Sequence, residues 1–316
     1  MVTPNLPPEF EVLVSPPDIG DWLSGNSGVP GFTTLESGAP GPHAAILALT
    51  HGNEISGAIV LDRLLRAGIR PRRGRLTLGF VNIEAYRRFD PRRPTASRFI
   101  DEDINRVWEE AILDGPRHSR ELDRAREIRP LIETVEVLLD LHSMLWPSDP
   151  LILCGGSPKG AQLARGIGTP SLVVADHGHA NGRRIIDYTR FSDPATPWSA
   201  NLVEAGQHWL PSTVDTVAAS VDGFLRHAGM IEGEPAAACG PQRFAVVTDA
   251  VTAISKQFAF TQPYHGGEIV ARRNTLIAMD GPTEIRTPYD DCLLVMPSLR
   301  PHRGHTAVRL ARFEGQ

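Results

Sequence analysis

At 316 residues, the chain is too long for one small core and fits one large α/β unit with a smaller one. Hydrophobic residues make up 41% and charged residues 22%, the balance of an ordinary globular protein. The net charge of −5 excludes the basic footprint that nucleic-acid binding requires, and no apolar run approaches the roughly 20 residues that span a bilayer.

In chain order, His43–Thr50 (HAAILALT) reads as a buried strand, and Ser56–Ala67 follows with apolar residues at helical spacing. Arg75–Asn82 is the next strand, Arg120–Glu133 a strongly charged helix, and Val135–Leu141 a strand again. Short strands are expected at Leu151–Cys154, Ser171–Ala175 and Ala200–Val203, before an amphipathic helix over Ser212–Ala228. Strands alternating with helices predict a largely parallel or mixed sheet covered by helices on both faces. The texture changes at Gly229–Gly240, which is rich in Gly, Pro and Ala. Beyond it, strand-like runs at Arg243–Val247, Glu268–Ala271, Thr275–Ala278 and Leu293–Met296 are separated by turn residues. The expected division is a catalytic α/β domain over residues 1–232 and a small C-terminal β domain over 233–316, placed to cover the active-site cleft.

Cys154, Cys239 and Cys292 are scattered, with no CxxC spacing, so neither a disulfide framework nor a thiolate metal site is expected. With no secretory signal at the start, MVTPNLPPEF, the expected location is the cytoplasm.

The chemistry concentrates in three places. His51-Gly52-Asn53-Glu54 sits where a buried strand gives way to a helix, the end of an α/β strand where ligands bind. A His and a Glu three apart, across a Gly, can converge on one ion. His142 ends the run VEVLLDLH, and Asp140, two residues earlier on the same strand face, can brace its ring. Two His and one carboxylate leave a tetrahedral position open, the arrangement of a catalytic zinc site, with one Zn2+ per chain. Each residue alone has a plainer reading: a helix cap, a first-turn acid, a core histidine. Glu204, in NLVEAG near a strand end, is either the base of an amide hydrolysis or a surface acid. The cluster Arg98-Phe99-Ile100-Asp101-Glu102-Asp103-Ile104-Asn105-Arg106 offers one Arg to polarise a carbonyl and another to grip a carboxylate, or is a solvated charged loop.

HGNE, RFIDEDINR, DLHS and VEAG, in that order, resemble the succinylglutamate desuccinylase/aspartoacylase family of zinc hydrolases, which are related to the metallocarboxypeptidases. The resemblance covers roughly residues 43–210. It implies a zinc-carboxypeptidase-like α/β fold: a mixed sheet flanked by helices, followed by a small C-terminal β domain. It makes His51, Glu54 and His142 the zinc ligands and Glu204 the general base and acid. Arg98 would polarise the scissile carbonyl, Asn105 and Arg106 would bind the carboxylate of an N-acyl amino acid, and Asp103 would brace that segment from behind, as Asp140 braces His142.

The departures bear on substrate. Ser143-Met144-Leu145-Trp146-Pro147 is more apolar than a dicarboxylic acyl group calls for, which points to an apolar or aromatic acyl group unless those side chains pack inside a loop. No Arg upstream of Glu204 is placed for a second substrate carboxylate; Arg190 is the one candidate. Asp176-His177-Gly178-His179 reads as a loop at the rim, His302 and His305 as surface residues, and His208 as a residue that lines the site. Gly155–Gly160 lacks the phosphate-loop pattern, and no GxSxG elbow is present.

The expected activity is release of a carboxylic acid and an amino acid from a small-molecule N-acyl amino acid, with no nucleic-acid or membrane partner and homo-oligomerisation left open. The rival readings are a zinc carboxypeptidase acting on short peptides and a catalytically inactive metal-binding relative.

Overall fold

The computed structural model describes residues 10–176, 178, 181–233 and 241–314. The first half builds β1 (Phe32–Glu36), β2 (His43–Ala48), α1 (Ile55–Arg66), β3 (Arg75–Phe80), the one-turn helices α2 (Ile83–Tyr86) and α3 (Glu110–Leu113), α4 (Arg120–Ile132) and β4 (Val137–Met144). Then come β5 (Leu151–Leu153), α5 (Pro158–Ile167), β6 (Leu172–Ala175), α6 (Thr189–Ser192), β7 (Ser199–Gln207) and α7 (Pro211–His227). The remainder is all strand: β8 (Arg243–Thr252), β9 (Phe258–Phe260), β10 (Ile269–Val270), β11 (Leu276–Asp280), β12 (Thr283–Arg286), β13 (Cys292–Val295) and β14 (Thr306–Phe313).

Eleven strands form one mixed sheet in the order β1-β3-β2-β4-β7-β5-β6-β8-β14-β13-β10, and β12-β11-β9 form a separate small sheet. Two faces bury every central strand, so these strands read as unbroken apolar runs, and their period-two alternation divides them between two cores. Ala44, Ile46, Leu139, Leu141, Ile152 and Val203 enter the core under α1, α5 and α7. Ala45, Leu47, Leu138, Leu151, Leu153 and Leu202 enter the opposite core, with Leu122, Ala125 and Ile128 of α4. Helices on both faces of a mixed sheet are the architecture expected from the alternation of strands and helices.

The same parity places the chemistry. Asp140 and His142 share a strand face with Leu138, Glu204 shares one with Leu202, and His142 lies directly opposite Glu204 in the parallel β4–β7 register. Three polar residues thus come to the carboxyl ends of adjacent strands on the α4 side.

The C-terminal strands continue the sheet: β8 pairs parallel with β6, and β14 pairs antiparallel with β8. Leu293, Val295, Ala311 and Phe313 pack into the same core as Leu153 and Val174. Four strands lie outside the sequence expectation: β1, β9, β12 and β14. In β14 (TAVRLARF) the arginines at 309 and 312 interrupt the apolar alternation. α5 is a further addition, over a stretch to which the sequence reading assigned no element. The Ser157 hydroxyl accepts from Gly160 N at 3.3 Å, Pro158 occupies the first turn, and Gly168, at φ 78°, ends the helix in the left-handed conformation that glycine takes without strain. His177, His179 and Cys239 lie outside the described residues.

Since the two halves share a core, replacing the fully buried Leu293 by Ala is expected to cost about 2–5 kcal/mol. Urea titration followed by both tryptophan fluorescence and circular dichroism should show this loss in one coincident transition. Two separated transitions would show that the C-terminal strands unfold on their own.

Candidate metal and hydrolase site

The HGNE segment is a tight turn between β2 and α1. Fully buried Leu49 takes the left-handed conformation (φ 59°) as the chain leaves β2, and Glu54 N donates to His51 O at 3.1 Å. The turn is tied down from two sides. Gly52 N donates to Arg98 O at 3.1 Å, and the Trp209 indole donates to Asn53 O at 2.9 Å. Gly52 is needed for close approach: a Cβ there would meet Ala85 C and Tyr86 N at 2.5 Å and Ser97 O at 2.6 Å.

His51, Glu54 and His142 are all buried, and one ligand atom from each lies within 4.8 Å of the others. Glu54 is the hinge of the arrangement. Its Oε1 lies 2.7 Å from His51 Nδ1 and its Oε2 lies 3.0 Å from His142 Nδ1. The far nitrogen of each ring is held by another carboxylate: His51 Nε2 by Asp103 at 2.9 Å and His142 Nε2 by Asp140 at 2.7 Å. A neutral ring donating Nε2–H backwards turns its Nδ1 lone pair toward Glu54, and a proton on Nδ1 takes that place when the ring is charged. Two lone pairs and a carboxylate aimed at one point call for a cation between them, so the donor set fits a metal ion with carboxylates bracing both histidines. Burial works against the charge on His142, but Asp140 and Glu54 outweigh it and hold its pKa well above the ordinary histidine value. Burial likewise pushes Glu54 up, and His51 and His142 hold it well below the usual carboxylate range.

The supporting shell accounts for the rest of the motifs. Asp140 is fully buried and accepts from the Thr50 hydroxyl at 2.7 Å. Ser143 N donates to Glu54 Oε2 at 3.0 Å. RFIDEDINR is wrapped on a buried acid: Glu121 of α4 accepts from the backbone N–H groups of Ile100, Asp101 and Glu102 at 2.6–3.2 Å. Held this way, Arg98 donates to Glu54 Oε1 at 3.0 Å and to Asp103 Oδ2 at 3.1 Å while keeping 37% of its side chain exposed toward the cavity. For Asp103, burial is outweighed by His51 and Arg98, and its carboxyl lies well below the ordinary range.

Glu204 stands beside this group with its Oε2 buried and without a hydrogen-bond partner among the described residues. Burial pushes its carboxyl up to about 8; His142 and Arg98 pull it down, and Glu54 pushes it further up. A carboxyl poised near neutrality, with a free oxygen, is what a proton carrier needs.

Two cavities of about 170 Å³ each meet at His51, Arg98 and Glu204. One is apolar, walled by Met144, Leu145, Trp146, Met296 and Pro297. The other is polar, walled by Asn105, Arg106, Arg184 and Arg309. Met144, Leu145 and Trp146 therefore face the site. Asn105 is positioned more than it is offered: its Oδ1 accepts from Ile185 N at 2.8 Å and its Nδ2 lies 3.5 Å from Asp140 Oδ2.

Several sequence expectations move. Arg190 is not at the site; it donates to Val135 O at 2.5 Å and its guanidinium stacks on Trp198 at 4.0 Å. The polar cavity is instead walled by Arg184, upstream of Glu204 and paired with Asp176 and Asp187, and by Arg309, 105 positions beyond Glu204. His208 is not among the residues that wall either cavity. It is buried behind the centre, 2.7 Å from the Ser143 hydroxyl, and burial lowers its pKa to about 4. His302 and His305 are exposed, as expected, and stand at the outer mouth with Arg98 and Arg106.

Residues 40–173 match the model of the succinylglutamate desuccinylase/aspartoacylase catalytic domain. The match covers less than half of the chain and makes this stretch similar to that catalytic domain. No curated protein matches the chain. Among solved structures, the chain is similar to a succinylglutamate desuccinylase/aspartoacylase from Rhodobacter sphaeroides, at 19% identity and a TM-score of 0.68 over 91% of this chain and 90% of that one. Succinylglutamate desuccinylase from Vibrio cholerae aligns with a TM-score of 0.68 at 15% identity, over 90% and 85% of the two chains. The product-bound ectoine utilization protein EutE (DoeB) from Ruegeria pomeroyi aligns at 0.64 and 16%, over 89% and 88%. These likenesses show a shared fold running through the C-terminal strands. The family is one of hydrolases acting as deacylases.

Two predictions test the geometry. Gly52→Ala should cost about 1–3 kcal/mol, because a Cβ driven into backbone cannot be relieved by a rotamer change. It should also weaken metal binding at least tenfold, read by titration with a competing chelator; unchanged affinity would mean the turn does not set the ligand geometry. The second concerns pH. In the metal-free protein, the native state keeps a proton on Glu204 up to about pH 8, whereas an unfolded chain releases it near 4.5. The native state then binds more protons than the unfolded one between these values, so this group's stabilisation is complete below 4.5 and is lost as pH rises through 8. Glu204→Gln removes the dependence, so its melting temperature should rise relative to wild type between pH 5 and 8.5; parallel curves would contradict it.

Proposed function

We propose that this chain is a zinc-dependent amidohydrolase that splits the amide bond of an N-acyl amino acid into a carboxylic acid and a free amino acid. The observation that carries the proposal is the placement of the His51–Glu54–His142 group, with Glu204 beside it, at the junction of an apolar and a cationic cavity. One zinc ion held by His51, Glu54 and His142 supplies, when bound, a Lewis acid that polarises a carbonyl and acidifies water.

The protein's own residues do the rest. Glu204 takes a proton from the attacking water through its unpartnered oxygen and passes it to the leaving nitrogen. Arg98 faces the carbonyl oxygen and stabilises the negative charge that develops there. Arg106, with Asn105 orienting the segment, takes the carboxylate of the amino-acid half. Asp103 and Asp140 keep His51 and His142 in the ligating tautomer. The apolar cavity takes the acyl group, which favours an apolar or aromatic acyl chain over succinyl. In the C-terminal domain proposed over residues 233–316, Met296, Pro297 and Ser298 on one side and Thr306 on the other close the cleft. Two small cavities suit a small-molecule substrate better than a peptide. The proposed setting is the cytoplasm; among the described residues no helix is long and apolar enough to cross a membrane.

A hydrolysis panel crossing acetyl, succinyl and aromatic acyl groups with acidic and neutral amino acids tests the reading. Turnover should vanish on chelation and return with zinc, and aromatic acyl groups should exceed succinyl in kcat/KM. Glu204→Gln should lower kcat about 10²–10⁴-fold. Rates that rise with peptide length would favour a carboxypeptidase, and a fully active Glu204→Gln variant would remove Glu204 from the proton path.

A further inference from the structure

One wall of the apolar cavity is the loop after β4, which carries Leu145 and Trp146. The backbone of this loop is tied on both flanks. His208 N donates to Met144 O at 2.7 Å, and the Gln207 side-chain amide donates to Leu145 O at 3.3 Å. Beyond the tryptophan, Gly266 N donates to Pro147 O at 3.0 Å and Asp149 N donates to Gly266 O at 2.7 Å. Gly266 is needed for this approach, because a Cβ there would meet the Ser148 hydroxyl at 2.1 Å. With the main chain held on either side, the part of the wall that can move is the Trp146 ring.

That ring is half-buried, and Phe10 is the one aromatic side chain that meets it among the described residues, edge-on at 5.6 Å and 68°. Phe10 is itself anchored. Residues 10–14 alternate, with Phe10, Val12 and Val14 packed on the core under α1 and α7 and Leu13 facing outward. Leu13 N donates to Trp209 O at 3.0 Å, and the Phe10 ring makes a second edge contact on the Trp209 ring at 6.0 Å and 64°. Trp209 has no room to yield: it is fully buried, and its indole donates to Asn53 O in the HGNE turn. Phe10 therefore bridges a fixed tryptophan and a movable one, and it is not among the residues that wall either cavity.

Edge-to-face ring pairs favour one geometry, and a close-packed wall holds its shape only while its backing is present. We infer that Phe10 is a positioning residue, which holds the Trp146 indole against the acyl cavity and so limits the size of the acyl group that the site accepts. The inference rests on the deacylase reading above and deepens it. With the indole in place the cavity measures about 170 Å³, and an apolar cavity of about 150 Å³ is enough for one benzene ring. Without Phe10 the indole can turn into the space left behind it, and the cavity lengthens on that side.

The test compares N-benzoyl and N-1-naphthoyl derivatives of the same amino acid, with the N-acetyl derivative as reference. Wild-type kcat/KM should favour benzoyl over naphthoyl about tenfold or more, the scale on which an apolar pocket discriminates a few carbon atoms. Phe10→Ala should bring that ratio close to one, mainly through a lower KM for the naphthoyl substrate, and leave kcat/KM on the acetyl substrate unchanged. Phe10→Tyr, which keeps the ring, should retain the wild-type ratio. Trp146→Ala should lose it and make a further Phe10→Ala change silent. A wild-type ratio near one, an unchanged ratio in Phe10→Ala, or an equal loss on all three acyl groups overturns the inference. If Phe10→Ala does not fold, the same ratio in Phe10→Leu, which keeps apolar contact with the core but loses the ring edge, decides. Should neither aromatic substrate be hydrolysed, calorimetric titration of the zinc-loaded proteins with benzoate and 1-naphthoate replaces the kinetics. Naphthoate binding gained in Phe10→Ala keeps the inference; identical binding in the two proteins, or none, overturns it. Absence of turnover on all three substrates counts against the deacylase reading alone.

Discussion

The site depends on one carboxylate lying between two imidazole nitrogens in a buried setting. Glu54 meets His51 Nδ1 and His142 Nδ1 within 3.0 Å, and neither ring is free to turn away because Asp103 and Asp140 hold the opposite nitrogens. A buried group of this kind is stable only if each member is fully partnered. The surrounding structure is arranged to that end: the Ser143 amide on Glu54, the Thr50 hydroxyl on Asp140, and the Glu121 cradle under the segment that carries Arg98 and Asp103. The elements that supply these groups come from β2, β4, α4 and the connection before α3. The geometry is therefore a property of the assembled sheet and not of any one motif.

How much of this was legible beforehand follows from how far each signal reaches along the chain. HGNE, DLHS and VEAG sit at the ends of strongly apolar strands, so their position at one edge of the sheet could be inferred from strand boundaries alone. The pairing of Asp140 with His142 follows from the two-residue period of β4 and is present at 2.7 Å. Non-local arrangements were not legible. Glu121 reads as one more acid on a charged helix, yet it organises three backbone amides some twenty residues earlier. β14 was hidden because Arg309 and Arg312 break its apolar alternation, and Arg309 reaches the cavity from that strand together with Thr306. A buried charge at a functional cavity weakens the very pattern by which its strand would be recognised.

The continuity of the sheet gives the two halves of the chain different work. The convergent trio, Arg98 and Glu204 all lie between residues 51 and 204. The cavities on either side need the C-terminal strands: Met296 and Pro297 complete the apolar wall, and Arg309 completes the polar one. These residues reach the site through β13 and β14, whose inward side chains share a core with β5 and β6. The walls on either side of the convergent trio are thus completed by segments that contribute none of its three residues.

This separation has a physical consequence for selectivity. Changes on β14 or in the turn after β13 alter what the cavities accept while leaving the carboxylate and two imidazoles, and the shell that orients them, in place. The reverse does not hold: a shift of a few tenths of an ångström at Gly52 or Asp103 disturbs the ligand geometry whatever substrate is present, because those residues are locked against backbone and charge on every side. The half that carries the His51–Glu54–His142 group is therefore the constrained part of the molecule. The strands that return to it from the C-terminal end complete the cavity walls of a fold shared with desuccinylases and aspartoacylases.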